Sequence, residues 1–315
     1  MGRIAELLKD NIVNKYSVIP RNVYFVDPVD GTAGGSGSEL QPFSTVVEAF
    51  NNCVSGKNDC VIWIGKDNTS KWESSVAIDW NKNATHLFGA CVDTLEGKRC
   101  RITQLASITG IASLFKVSGE NCIFANIRID QGVNDATSLV AAELTGQRNK
   151  FINVEFAGIG HTTQNVASAA SLLLNGTSEN LFIDCVIGLD TVARNANPSE
   201  ILIKNVATRN TFRNCIIKSY ISAAGFPSVK LIDGTSIDRT LIFDNCMFMT
   251  DSLNQGVAQT SVFSIPVITQ GKIMLKNTSA ITDGTAAWDS NSRGIIWNNA
   301  PAAAATAGGN LMTKK

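Results

Sequence analysis

The sequence predicts an all-β fold, a single chain wound into a parallel β-helix of about seven turns of about 30 residues, behind an N-terminal helical cap. Three observations predict it. A six-residue phrase recurs at a near-constant spacing. A second, β-rich phrase precedes most of its copies. The segment ahead of the repeats reads strand, glycine-rich loop, helix, which is what the open end of such a barrel needs as a cover.

The first phrase occurs as FANIRI (124–129), FINVEF (151–156), FIDCVI (182–187), FRNCII (212–217) and FDNCMF (243–248), with a weaker copy LKNTSA (275–280). Its polar anchors are Asn126, Asn153, Asp184, Asn214, Asn245 and Asn277, spaced 27, 31, 30, 31 and 32 residues apart. An earlier relative, FGACVD (88–93), puts Ala90 in the anchor place. The second phrase is SLFKVSG (113–119), LVAAELTG (139–146), SLLLNGT (171–177), ILIKNVAT (201–208) and VKLIDGT (229–235). Each period therefore holds at least two short strands and a variable polar loop. Leucine-rich repeats are shorter, and propeller blades are longer and pair strands within themselves.

In a parallel β-helix each strand pairs with its equivalent one turn on, about 4.8 Å away, so equivalent residues stack. That predicts an internal column of Phe88, Phe124, Phe151, Phe182, Phe212, Phe243 and Leu275. A second column is Cys91, Ile127, Val154, Cys185, Cys215, Cys246 and Thr278; a third is Ile129, Phe156, Ile187, Ile217, Phe248 and Ala280. Residues on both sides of the anchor can face inward only if the chain bends there. Asparagine tolerates the left-handed conformation that this bend needs. Its amide can bond to the copies above and below, where an unpaired buried amide would cost about 1–3 kcal/mol.

Eight cysteines contain no CxxC pair, so no zinc spacing is present. Cys185, Cys215 and Cys246 suit buried free thiols better than a bridge, whose Cβ atoms want to be about 3.8 Å apart. Cys91 and Cys100 flank a loop and could pair.

Four regions follow: an arm (1–20), a cap with the first strand (21–66), the β-helix (67–285) and a C-terminal cap or tail (286–315). In the cap, Ser44 or Thr45 can start a helix whose apolar face is Val46, Val47, Ala49 and Phe50. Ile4, Leu7, Leu8 and Ile12 fall at helical spacing, so the arm docks either on a partner or on the chain's own cap. Trp288 and Trp297 form a cap or an inter-subunit contact.

Apolar residues make up 44% and charged residues 17% of the 315, with 27 acids balancing 27 bases, so a large core is expected and no nucleic-acid partner. No stretch approaches the roughly 20 apolar residues of a membrane span, and the N-terminus lacks a secretory apolar run. A soluble protein made in the cytoplasm, with no membrane insertion, is the expectation. The sequons at Asn68, Asn83, Asn175 and Asn277 carry meaning only in a secretory pathway, and GTAGGSGS (31–38) lacks the Lys-Ser/Thr ending of a phosphate loop.

The segments YFVDPVDGT, QPFSTVVEAF and DCVIWIG resemble the opening of right-handed β-helix proteins of the pectin-lyase-like superfamily. With the repeats, the resemblance spans roughly residues 22–285 and implies a right-handed coil. Many members cut polysaccharides, and the polygalacturonase-like ones carry an Asp-Asp pair, a Gly-His-Gly and an Arg-x-Lys. This chain has no Asp-Asp pair; GIGH (158–161) has no glycine after His161, and RNK (148–150) precedes it. Lyases of the fold use clustered carboxylates for calcium and a basic residue to take a proton. Asp130, Glu143, Glu155 and Asp190 fall on different turns, where solvated surface is the ordinary reading, and His86 reads as structural. No catalytic, metal or cofactor-binding residue, no cofactor and no enzymatic activity are therefore expected.

A rod on the order of 35 Å long with short tails looks like virion components of tailed bacteriophages. The resemblance implies a capsid decoration or spike, assembled in the host cytoplasm as a homotrimer. Its partners would be other virion proteins such as the major capsid protein, with host-surface glycans as a further candidate. The alternatives are a carbohydrate-binding or polysaccharide-degrading β-helix of tailspike type, lyase or hydrolase, and a bacterial surface adhesin, which the missing signal peptide opposes.

Overall fold

The computed structural model describes residue 12, residues 14–251, 257–266, 270–282 and 287–289, and the backbone alone at 296–298 and 311–313. Ile4, Leu7, Leu8 and the Trp297 side chain lie outside the described residues.

The strands form three sheets, all parallel, which the chain visits in rotation. The first runs from Val23–Val26 through Asp59–Ile64, Thr85–Ala90, Ile123–Ala125, Lys150–Ile152, Leu181–Ile183 and Asn210–Arg213 toward Ile296–Asn298. The second passes through Arg101–Gln104, Arg128–Asp130, Glu155–Ala157, Val186–Ile187 and Ile216–Ile221. The third passes through Ser113–Val117, Val140–Leu144, Ala170–Asn175, Ser199–Lys204 and Val229–Leu231, which are the β-rich phrases of the sequence. Each turn thus carries three strands where the sequence indicated at least two.

The phrase anchors make the corner between the first and second sheets. Asn126, Asn153, Asp184, Asn214, Asn245 and Asn277 all have φ between 48° and 56°. This is the left-handed bend that lets residues on both sides of it face the core. Their amides form a ladder: Asn153 donates to Asn126, Asn214 to Asp184 and Asn245 to Asn214, at 3.2, 3.1 and 2.9 Å. The ladder is half-buried to exposed, so its chief contribution is the backbone conformation.

Inside, Phe124, Phe151, Phe182, Phe212 and Phe243 stack in succession, with centroids 4.4–5.0 Å apart and planes within 11°. Leu275 continues the column opposite Phe243. Ile129, Phe156, Ile187, Ile217, Phe248 and Ala280 also stack as expected. Phe88 does not belong to the spine. Leu87 pairs with Phe124 and Phe88 with Ala125, so Leu87 turns inward and Phe88 outward. A one-residue offset reverses every side chain of a strand. The same offset puts Gly89, not Ala90, level with Asn126; a Cβ on Gly89 would lie 2.1 Å from the Asn126 carbonyl oxygen.

A second ladder lies at the corner between the third and first sheets, and it is buried. The side-chain oxygens of Asn149, Asn180 and Asn210 accept from the backbone N–H of Cys122, Asn149 and Asn180, at 2.8, 2.9 and 3.1 Å. Cys185, Cys215 and Cys246 are buried free thiols.

Thr45 caps the helix Val46–Asn52 through a reciprocal capping box with Glu48. Val46 and Ala49 are buried, Phe50 rests on Trp80 at 4.3 Å, and Val47 stays exposed. The cap strand Val23–Val26 pairs with Asp59–Ile64, so the cap extends the first sheet. Ile12 and Tyr16 pack on the outer face of that sheet with Phe88 and Ile123, so the described end of the arm rests on the chain's own barrel. Trp288 is buried against Phe248 and Phe263 at the far end of the core.

Candidate functional site

The loop 91–100, between the first-sheet strand Thr85–Ala90 and the second-sheet strand Arg101–Gln104, departs from the regular turn. It runs along the barrel instead of closing its own turn. Asn153 donates to the Asp93 carboxylate, Gly97 N–H donates to Glu155 Oε2 at 2.9 Å, and Lys218 Nζ reaches Glu96 at 2.7 Å.

Beneath the loop, the alternation that buries Ile129, Phe156 and Ile217 points Arg128, Asp130, Glu155 and Lys218 outward. Arg128 bridges Asp130 at 2.8 Å and Glu155 at 2.5 Å, and Lys218 reaches Asp190 at 3.3 Å. Three of the four carboxylates that the sequence left on separate turns are thereby gathered on one face. Glu155 is fully buried rather than solvated, because the loop covers it. Burial raises its pKa, opposed by the Arg128 charge, the Gly97 N–H and the Lys98 charge. Burial also lowers the pKa of Lys98, which is 2% exposed and donates to the Leu95 carbonyl. The charge of each group opposes the effect of burial on the other.

Beside the loop lies an open groove of about 500 Å³. Its floor is the corner ladder, with Asn126, Asn153 and Asp184; Asp93, Thr94 and Leu95 form one wall, and Lys15 and Tyr16 the other. Tyr16 rests against Phe88, ring centroids 4.9 Å apart and planes tilted by 30°. Two carboxylates, two amides and an aromatic face thus converge on one concavity. A second concavity of about 450 Å³, at the cap, is lined by Phe50, Trp72, Glu73, Asp79 and Lys82. There Lys82 caps the helix carbonyls of Phe50 and Asn51, Asp79 accepts from Ser118 and Glu73 pairs with Lys71, while in the groove Asp93 accepts from Asn153 and Asp184 from Asn214.

The remaining sequence candidates stay apart. Glu143 is on the third sheet, accepting from Ser113 and Asn175. His161 caps the short turn Thr162–Gln164, and Arg148 pairs with Glu179. His86 is buried, its Nδ1 accepting from the Ile123 N–H at 3.0 Å. Sequence reasoning missed Lys98, Arg128 and Lys218, and also a fully buried pair between the second and third sheets, with Arg194 on the short strand Ala193–Arg194 and Glu200 on the third-sheet strand Ser199–Lys204. Arg194 bonds to Glu200 at 2.9 Å and to the Gly158 and Ile159 carbonyls, and Ser171 completes the shell of Glu200. Among the described residues no group of three or more His, Cys, Asp and Glu gathers as metal ligands, and no helix is long and apolar enough to cross a membrane.

No family model matches the chain, and no curated protein matches it. Solved structures do. A pectate lyase, Pel9A, superposes with a TM-score of 0.62 over 94% of this chain and 73% of its own, at 14% identity. A rhamnogalacturonan lyase gives 0.59 over 86% and 73%, at 14% identity. A pectin methylesterase from Aspergillus niger gives 0.55 over 91% and 92%, at 16% identity. The fold is the right-handed parallel β-helix of pectate lyases. The expectation of a non-enzymatic chain does not stand: these neighbours are lyases and an esterase, so the fold that the chain adopts is one that carries catalysis. The motif argument weighed the hydrolase and lyase patterns alone, and the fold also carries an esterase.

Proposed function

We propose that the chain acts on a polysaccharide, bound along the corner ladder in the groove between Tyr16 and the 93–95 wall. The observation that carries this reading is the groove itself. It pairs a tyrosine face, suited to the C–H face of a sugar, with Asp93, Asp184, Asn126 and Asn153, suited to hydroxyls. Glycoside hydrolysis requires two positioned carboxylates, and Asp93 and Asp184 are the pair assigned here. The fold supports the reading, since its solved examples include proteins named for pectate, pectin and rhamnogalacturonan.

The test is binding and turnover of purified protein on pectate, pectin, rhamnogalacturonan and a neutral glucan, with product followed by reducing ends and by ultraviolet absorbance. The expected result is turnover of at least one polymer, lost in Asp184→Asn, and binding weakened about tenfold in Tyr16→Ala. Absence of both binding and turnover across the panel would overturn the proposal. A place in a phage particle, as a trimer presenting this groove to host-surface glycan, is compatible with the same chemistry. A solution mass of three chains of 33.6 kDa is its separate test.

A further inference from the structure

We propose that Cys91 and Cys100 form a reversible disulfide at the base of the 91–100 loop, and that this bond sets the stiffness of the groove wall. The first half stands on the geometry of the thiols. The second rests on the reading of the groove given above.

Cys91 begins the loop and Cys100 ends it. Their side chains converge on one point: the place where a Cβ on Gly65 would sit lies 2.6 Å from Cys100 Sγ and 3.0 Å from Cys91 Cβ. Residue 65 is a glycine, and the room it leaves is filled by this thiol pair. The Cys100 thiol donates to the Trp63 carbonyl at 3.1 Å, and Cys91 Sγ lies 3.6 Å from Asn126 Nδ2 and 3.8 Å from the Asn126 carbonyl. Hydrogen bonding from Cys100 foremost, with the Arg99 and Cys100 N–H groups and the Lys98 charge, outweighs burial and holds the Cys91 thiol down at about 6, which favours the thiolate at neutral pH. Cys91 is half-buried and reachable, whereas Cys100 is fully buried. That is the usual division between an attacking and a resolving thiol. The other close thiols, Cys185, Cys215 and Cys246, are all buried in the core and closed to a reagent.

The oxidant is a small-molecule disulfide. Cys91 thiolate attacks one of its sulfurs, forms a mixed disulfide and expels one thiolate. The bond to Cys91 raises the Cys100 pKa most, then burial, then the charge of Cys91. Capping Cys91 removes the first and third, and burial remains, so the second step is the slow one. Cys100 gives up its proton to solvent base, attacks Cys91 Sγ and expels the second small thiolate. Two protein thiols give up two electrons and two protons, and one small disulfide becomes two thiols. The product pins both ends of the loop whose residues Asp93, Thr94 and Leu95 wall the groove.

The experiment treats the full chain with oxidised glutathione at pH 7, quenches with acid, counts alkylatable thiols in denaturant and maps peptides by mass. The expected result is the loss of two of the eight thiols, a product lighter by two hydrogens, and a Cys91–Cys100 linked peptide that a dithiol reductant abolishes. Cys91→Ala, at a half-exposed position, should fold and keep its other seven thiols alkylatable. Eight reactive thiols after treatment, or a stable glutathione adduct on Cys91 without loss of Cys100, would overturn the bond. Polysaccharide affinity of the oxidised form should be about threefold tighter or more, because a stiff wall loses less freedom on binding. A linked protein with unchanged affinity would sink the regulatory half alone. A linked protein that binds no polysaccharide would sink the proposed function and leave the bond standing.

Discussion

Replacing Asn180 with alanine tests the buried ladder where its connections are densest. Asn180 is 1% exposed. Its Oδ1 accepts from Asn149 N–H at 2.9 Å; its Nδ2 donates to Asn210 Oδ1 at 2.9 Å and to Thr177 Oγ1 at 2.6 Å. Removing the amide strands the Asn149 N–H in the interior, at about 1–3 kcal/mol. The two lost donor bonds add about 0.5–1 kcal/mol each, the low end because both acceptor atoms keep another partner. Asn210 Oδ1 still accepts from Asn180 N–H, and Thr177 still donates to the Gly146 carbonyl. The total is on the order of 3 kcal/mol. Urea unfolding followed by tryptophan fluorescence reads the global loss. Amide exchange at Asn149 reads it locally, since a stacked array need not unfold in one step. Asn214→Gly in the exposed ladder is the control: it keeps the left-handed bend and should cost under about 1 kcal/mol. An Asn180→Ala loss no larger than that of the control would refute the reasoning.

Two further outcomes follow from particular residues. Burial holds the His86 imidazole down at about 4, against 6.5 when unfolded, so the unfolded chain binds the proton more readily. Its contribution is complete above pH 6.5 and is lost as pH falls toward 4, by about 3 kcal/mol. In His86→Asn, which can still accept from Ile123 N–H, the difference in stability between pH 7 and pH 4 should shrink by that amount in denaturant titrations; equal slopes would contradict it. Gly188 has φ 104°, and a Cβ there would lie 2.1 Å from the Lys218 carbonyl oxygen and 2.8 Å from the Glu200 carboxyl carbon. Gly188→Ala should therefore cost about 3 kcal/mol or more, read as a fall in melting temperature, and a shift of a degree or less would show that the turn relaxes freely.

The sequence made the winding legible because stacking forces like onto like. The period of the anchors, the left-handed bend at Asn126 through Asn277, and the phenylalanine spine from Phe124 onward could all be read from one phrase. The register of the earliest copy could not. Phe88 and Leu87 are both apolar, and nothing local says which one faces inward until Phe124 selects Leu87. The buried ladder was legible in principle. Asn149, Asn180 and Asn210 each stand two residues before a spine phenylalanine, in RNKF, ENLF and RNTF. The candidate site was not. Arg128 and Glu155 are register partners and pair directly, but the irregular loop that covers Glu155 and reaches Lys218 follows a path that depends on contacts distant in sequence.

That path has a mechanical consequence. In a stacked rod each layer holds only its neighbours, so melting can creep inward from either end layer by layer. The Glu96–Lys218 bond joins layers four strands apart on the second sheet, a span of roughly 19 Å. The layers between are thereby strapped into one block, and fraying that reaches either edge of it must release the whole block at once. The middle of the rod should behave as a single cooperative unit, flanked by ends that loosen independently.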